Sequence, residues 1–379
     1  MMIHRSYIDE VKRKLSLFPA VVILGPRQCG KTTLAQNLGG RYYDMEMEGS
    51  DARLDAEWDA AAHEDRLIII DEAQESPDIF KRLRGTIDKD RKRNGRYLLL
   101  GSVSPSLIAG VSESLAGRIA FVEMSPFSLL EVGARKMDAL WLYGGYPDGG
   151  VLDAKFYPDW QNSYLAALTT SDLPKWGLNA SAQMTKRLLQ MLATLHGHPL
   201  NASQIGQSLG IDHKTVQRYI DFLEGAFLVR NLSPYHANIK KRLVKRPRIY
   251  LRDSGLLHAL MRVQDLDMLY GQPWLGQSWE GFVIEQTLAV LGARNRSATP
   301  YYFRSSDGYE IDLLLDLGHE RWAVEIKLTS NPSKDAISRL NKVADMVGAT
   351  QRILICRIAE PFGNETLSVT HLERWLEQL

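Results

Sequence analysis

Gly25, Gly30, Lys31 and Thr32 stand at the spacing G-x-x-x-x-G-K-[ST], within Gly25-Pro26-Arg27-Gln28-Cys29-Gly30-Lys31-Thr32-Thr33. Two glycines so placed let the backbone curl until its N–H groups point inward at phosphate oxygens, helped by the N-terminus of a following helix. Lys31 would reach the β- and γ-phosphates, and the Thr32 hydroxyl would ligate Mg²⁺. An ordinary glycine turn is the plainer reading. The apolar run Ala20–Leu24 before the loop and the helical pattern from Lys31 after it supply the strand-to-helix setting that the motif requires. The stretch reads as a nucleoside triphosphate site.

Asp71 and Glu72 close a second apolar run, Leu67–Ile70, which describes a parallel strand buried on both faces with acids at its carboxyl end. Asp71 would hold Mg²⁺ through water, and Glu72 would polarise the attacking water. Nuclease and kinase strands also end in acids, but the phosphate loop upstream favours ATP hydrolysis. No Asn-Lys-x-Asp guanine signature is present, so adenine is the expected base. Ser102, at the tip of the strand 97–101, is placed to sense the γ-phosphate or merely ends that strand in a turn. Arg118 would contact the γ-phosphate of a neighbouring subunit, as arginine fingers do, or form a surface salt bridge.

Basic side chains gather further along. The segment 201–223 has a short helix, a turn at Gly210, and a second helix capped by Asp212 with Val216, Ile220 and Leu223 facing inward. His213, Lys214, Gln217 and Arg218 would face outward from this helix-turn-helix. Such units also serve as protein contacts. Lys240, Lys241, Arg242, Lys245, Arg246, Arg248 and Arg252 then follow with no acid until Asp253, and the strand from Arg248 reads as a wing. An all-basic run beside a helix-turn-helix is expected to contact nucleic-acid phosphates.

The last hundred residues carry a different constellation. Asp312 lies on one strand, and Glu325 and Lys327 share a face of the next because strand side chains alternate. Asp312 and Glu325 can share Mg²⁺, with Lys327 positioning a water and Glu280 or Glu285 approaching from the helix 275–291. A structural salt-bridge cluster is the other reading of the same residues.

Several elements must position these groups. A short amphipathic helix over 6–18 precedes the first strand, a second strand covers 41–45, and a polar helix covers 51–62. From Pro126 the pattern becomes helical, with a glycine-rich break over 143–150. The C-terminal unit reads as a helix, three strands in succession, a helix over 333–347 and a final strand 351–356. The domains follow: an ATPase core over 1–145, a helical lid over 146–190, a winged helix-turn-helix over 191–270 and a nuclease-like unit over 271–379.

At 379 residues the chain is too long for one ordinary core. Its apolar fraction of 45% and charged fraction of 24% are those of a globular protein. Net charge is only +1, so a nucleic-acid surface must come from local clustering. Two cysteines, Cys29 and Cys356, provide no disulfide framework. No apolar run approaches membrane-spanning length, and the N-terminus has no signal-peptide pattern. A cytoplasmic location without membrane partners is expected.

These motifs resemble a prokaryotic family of AAA+-type ATPases with an AAA_14 ATPase domain followed by a DUF4143 domain. The resemblance rests on the loop 25–33, Ile70-Asp71-Glu72-Ala73-Gln74, Ser114–Arg118, the basic stretch 240–255, Ser278–Glu285, and the Glu310-Ile311-Asp312 and Glu325-Ile326-Lys327 ending. It implies an α/β fold: a P-loop AAA+ parallel sheet with a helical lid, a winged helix, and a C-terminal restriction-endonuclease-like unit of the PD-(D/E)xK kind. It also implies ATP and Mg²⁺ as cofactors, a homo-hexameric ring, and motor work on duplex or branched DNA such as a Holliday junction in recombination. An ATP-gated DNA- or protein-binding switch or defence module is the competing expectation.

Overall fold

The computed structural model describes residues 3–101, 115–236 and 246–379; Ser102, Lys240, Lys241, Arg242 and Lys245 lie outside them. Five short strands build the first layer: β1 (Ala20–Leu24), β2 (Arg41–Asp44), β3 (Ile68–Asp71), β4 (Tyr97–Gly101) and β5 (Ile119–Glu123). They pair in the order β2-β3-β4-β1-β5, and every pairing is parallel. The inner strands β1, β3 and β4 are covered on both faces, which is why their apolar runs barely alternate. Val22, Ile70 and Leu99 face Leu54 and Trp58 of α3 (Ser50–His63) and Leu83 of α4 (Ile79–Lys89). Val21, Ile69 and Leu98 face Val11 of α1 (Tyr7–Leu17) and Leu34 of α2 (Lys31–Asn37). Parallel pairing brings the carboxyl ends of β1 and β3 to one rim, where an open α/β sheet offers its ligand crevice.

The chain after β5 leaves this sheet. Phe127, Leu129 and, on α5 (Met137–Tyr143), Leu140 and Trp141 pack into the core of the C-terminal unit. Helices α6 (Asp159–Ala167), α7 (Ala182–Thr194), α8 (Ala202–Leu209) and α9 (His213–Gly225) follow. The helices expected as a separate lid share one core with those after them: Leu165 of α6, Leu192 of α7, Ile205 of α8 and Val216 of α9 belong to the same cluster. Gly210 turns the chain at φ 71, and Asp212 caps α9 by accepting from the N–H groups of Lys214 and Thr215 at 2.9 and 3.0 Å. The antiparallel ribbon β6 (Val229–Leu232) and β7 (Arg248–Leu251) comes next, then α10 (Ser254–Leu260).

The C-terminal unit is a six-stranded mixed sheet in the order β12-β13-β11-β10-β9-β8. Its strands are β8 (Thr299–Arg304), β9 (Glu310–Asp316), β10 (Arg321–Ile326), β11 (Gln351–Ile355), β12 (Phe362–Gly363) and β13 (Leu367–Thr370). Thus β11 is not the final strand: β13 returns beside it in parallel. One face carries α11 (Leu275–Ala293) and α13 (Leu372–Gln378), through Trp279, Phe282 and Trp375. The other carries α12 (Lys334–Val347), through Leu340, Val343 and Ala344. Among the described residues no helix is long and apolar enough to cross a membrane.

Candidate nucleotide site and a buried carboxylate cluster

The loop between β1 and α2 is held in its curl by close backbone approach. A side chain on Gly25 would sit 2.3 Å from the Met124 carbonyl oxygen, and Gly30 turns at φ 95, where a side chain is strained. Lys31 is buried, its ammonium donating to the carbonyls of Gly25 and Pro26 at 3.0 and 2.9 Å. Arg27, at the loop's apex, pairs with Asp172 at 2.6 Å and Glu46 at 3.2 Å, and its carbonyl accepts from the Tyr164 hydroxyl at 3.2 Å. Asp172 and Tyr164 belong to the helical unit, so that unit grips the phosphate loop directly. From behind, Arg5 donates to the Cys29 carbonyl at 2.6 Å. Neither Arg5 nor Asp172 carries any local sequence signal of this role.

Thr32 donates its hydroxyl to Asp71 Oδ2 at 2.6 Å, and the Tyr42 hydroxyl donates to the same oxygen at 2.7 Å. The other carboxylate oxygen of Asp71 accepts from the Glu72 N–H at 3.0 Å. Magnesium takes hard oxygen ligands, and this hydroxyl–carboxylate pair fits it: Thr32 would bind the ion directly and Asp71 through water. Burial and the hydrogen bond to Asp71 push the Tyr42 phenol well above its ordinary value, so it stays a donor. Glu72 adopts a left-handed backbone conformation at φ 48 just past the strand and bonds with Gln74.

Arg118 precedes β5, at the amino end of the sheet, whereas the phosphate loop leaves the carboxyl end of β1 beside it. It makes a two-pronged pair with Asp88 at 2.7 and 2.9 Å. On α9, His213, Lys214 and Arg218 are exposed, while Gln217 is half-buried and bonds to Asp221 at 2.8 Å. Arg246 is exposed too.

Arg248 and Arg252 correct the reading of the basic run. Arg248 is buried, with its guanidinium 3.2 Å from Glu280, against Glu310, and 3.9 Å from Asp312. Arg252 bridges Glu285 at 3.0 Å and Glu123 at 2.7 Å. Both face inward, so neither offers charge to a phosphate backbone. Strand alternation explains Arg248: it shares a face of β7 with Tyr250, whose hydroxyl donates to Glu280, while Ile249 and Leu251 fill the helical core.

Asp312 and Glu325 do come together on adjacent antiparallel strands. Lys327 lies 2.6 Å from Glu325 and 3.7 Å from Asp312, and Asp312 Oδ2 accepts the Ile326 N–H at 2.9 Å. Glu280 joins them, but Glu285 does not: it pairs with Arg230 and Arg252 farther along α11. Burial first, then the Asp312 charge, pushes Glu280 and Glu325 up to about 8. Glu310 completes the group, and its position two residues before Asp312 on one strand face was the signal for it. Asp312 and Glu325, expected either to share Mg²⁺ or to form a salt-bridge cluster, stand here in an ion-paired cluster. Their counter-ions are Lys327 and Arg248, and among the described residues no three His, Cys, Asp or Glu side chains are grouped as a metal ion would need.

Family models match three consecutive stretches of the chain. The AAA domain family AAA_14 matches residues 17–133. Two families described only as domains of unknown function, DUF8612 and DUF4143, match residues 134–267 and 275–375. The uncharacterized proteins Mb2031c of Mycobacterium bovis and Rv2008c of Mycobacterium tuberculosis are each 39% identical over 336 residues, covering 87% of this chain and 75% of their own. Among solved structures, the Walker-type ATPase PABY2304 of Pyrococcus abyssi aligns with 69% of this chain and 96% of its own, at 15% identity and a TM-score of 0.47.

Proposed function

Since the chain belongs to the family of Mb2031c and Rv2008c and carries a P-loop ATPase as its AAA domain, we propose that it is an ATP-driven DNA-binding motor of the AAA+ kind. It would assemble as a hexameric ring and translocate on duplex or branched, Holliday junction-like DNA. ATP binds in the loop 25–33 with Lys31 on its phosphates. Thr32 and Asp71 hold Mg²⁺, and Glu72 takes the proton of the attacking water. Arg118 of one subunit completes the site of the next.

The observation that carries this reading is the Arg27–Asp172 ion pair at 2.6 Å. It joins the phosphate loop to the helical unit whose core also contains α9, the helix with exposed Lys214 and Arg218. We take α8, α9 and the β6–β7 ribbon as a winged helix, so ATP turnover at the loop moves a DNA-contacting element.

ATP turnover with and without duplex, single-stranded and four-way DNA tests it. DNA should raise turnover and be moved or remodelled by it. Turnover indifferent to every DNA form, with no salt-dependent binding, overturns the proposal. An ATP-gated switch that holds and releases DNA or a partner protein is the second reading, favoured by the pairing of Arg118 with Asp88 inside one chain. Tight ATP-dependent association without movement would select it. The C-terminal unit has PD-(D/E)xK spacing, but its carboxylates are ion-paired within the chain, and we assign it no cleavage.

A further inference from the structure

Arg27 stands at the apex of the phosphate loop, yet its guanidinium is held by two acids from outside that loop. One nitrogen lies 2.6 Å from Asp172, in the helical turn Leu168–Asp172 that continues α6, and another lies 3.2 Å from Glu46, just past β2. Asp172 is buried, whereas the Arg27 side chain is 33% exposed, so the guanidinium sits at the rim of the crevice and not inside the fold. Burial opposes its charge, but Asp172, then Glu46, then Glu72 outweigh burial and hold the guanidinium above its ordinary value. Glu72 is the carboxylate assigned to the water that attacks the γ-phosphate. Its charge acts on Arg27, which puts the fork on the γ side of the loop. Acids outnumber bases here: Glu46, Glu72, Glu75 and Asp172 gather around Arg27 and Lys175, and Lys175 is 2.9 Å from Glu75. A terminal phosphate adds negative charge to this group and needs a cation turned towards it.

We propose that Arg27 is the residue that tells ATP from ADP at this site, with Asp172 and Glu46 competing against the γ-phosphate for its fork. This rests on the loop 25–33 being the ATP site. Arginine meets a phosphate with two parallel N–H donors, and a terminal phosphate carries more charge than either carboxylate. Its arrival draws the fork off Asp172. ADP ends at the β-phosphate and leaves the pair in place. With ATP bound, the helical unit holds the loop through the Tyr164 hydroxyl on the Arg27 carbonyl, at 3.2 Å. The γ-phosphate is thus reported to the unit that contains α9 by the loss of one ion pair.

Calorimetric titration of the full-length protein with ADP and with the β,γ-imido analogue of ATP, both in Mg²⁺, tests it. Arg27→Met should weaken the analogue about tenfold and leave ADP within about twofold, since one charge-assisted contact is lost. Asp172→Asn, which is nearly isosteric, should tighten the analogue and leave ADP unchanged, because the competing charge has gone. In the Arg27→Met background Asp172→Asn should alter neither affinity, which assigns its effect to the pair. The double variant removes one charge of each sign, so should either single variant not fold, it must still show the selective loss of the analogue. Glu46→Gln at the rim should act as Asp172→Asn does. Equal weakening of both nucleotides by Arg27→Met, or an effect on neither, overturns the proposal. So does an analogue that binds more weakly to Asp172→Asn or Glu46→Gln. Wild type that binds neither nucleotide overturns the ATP-site reading itself, a result distinct from wild type that binds both while Arg27→Met changes nothing.

Discussion

Arg5 donates through Nη1 to the carbonyl oxygen of Cys29 at 2.6 Å, bracing the phosphate loop from an N-terminal segment that carries no motif. The same guanidinium reaches Glu131 at 3.0 Å and the Ser125 carbonyl at 2.6 Å, so one buried cation ties the loop to the chain leaving β5. Arg5→Met should leave the buried Glu131 without its cation and the Cys29 carbonyl without its donor, costing about 3 kcal/mol or more. Denaturant melts should show that loss, and nucleotide titration a weaker site. A variant within about 0.5 kcal/mol of wild type, the range of a neutral surface change, would make the brace incidental.

Lys31→Ala should abolish nucleotide binding or hydrolysis, because the phosphates lose their main side-chain charge. Glu72→Gln should bind ATP normally and hydrolyse it about a hundredfold more slowly or worse, the contribution of a positioned general base. Nucleotide binding and phosphate release measured side by side separate the two. Equal hydrolysis by wild type and Glu72→Gln would remove that carboxylate from its role.

The nucleotide site was legible because its chemistry is local. Lys31 and Thr32 follow β1 across the loop 25–30, Asp71 ends β3 and Glu72 comes just after it, so strand pattern and spacing sufficed to place them. Tyr42 and Asp172 were not legible, since each arrives from an element paired or packed only in three dimensions. Arg248 was misread for a related reason. Within a run of like charges its sign suggested phosphate, and only the fold reveals Glu280 and Glu310 as its partners. The aromatic Tyr250 on the same strand face was the one hint of an inward orientation.

Arg118 discriminates between motor and switch. Its pair with Asp88 is exposed on the Asp88 side, so breaking it costs little stability by itself. Arg118→Ala should fold as wild type and lose hydrolysis if it completes a neighbour's site. Mixing Arg118→Ala with Lys31→Ala should then restore part of the activity, because some interfaces combine an intact loop with an intact finger. Two inactive proteins that stay inactive when mixed would assign Arg118 to the Asp88 pair alone.

Charge reversal of Lys214 and Arg218 on α9 should weaken binding to all DNA sequences alike. For every phosphate left without its cation, the slope of log affinity against log salt should fall by about one unit, since fewer counterions are released. Reversal of Lys240, Lys241 and Arg242 should do the same. By contrast, Arg248→Met should leave the slope unchanged, as its guanidinium faces carboxylates. A slope altered by Arg248→Met and untouched by the α9 pair would exchange the roles assigned to them.

The carboxylate cluster also sets a pH dependence whose sign can be worked out. Glu280 is pushed up to about 8, chiefly by burial and then by Asp312, against an ordinary value of 4.5. Its surroundings are Arg248, the Tyr250 hydroxyl, Glu310, Asp312 and, beyond them, Lys327. Between those two values the folded chain holds a proton that the unfolded chain has released. Stability from this group is therefore full below about pH 4.5 and is lost as pH rises towards 8. Buried His196 and His258 are pulled down to about 3 and 4, and act oppositely below about 6.5, so the wild-type profile mixes both trends. Glu280→Gln isolates one of them, because the amide stays neutral and about the same size. The Tm of the variant, minus that of wild type, should rise steadily from about pH 5 to about pH 8 and level off above. A difference that stays flat across this interval would mean that Glu280 is already ionised against Arg248 throughout.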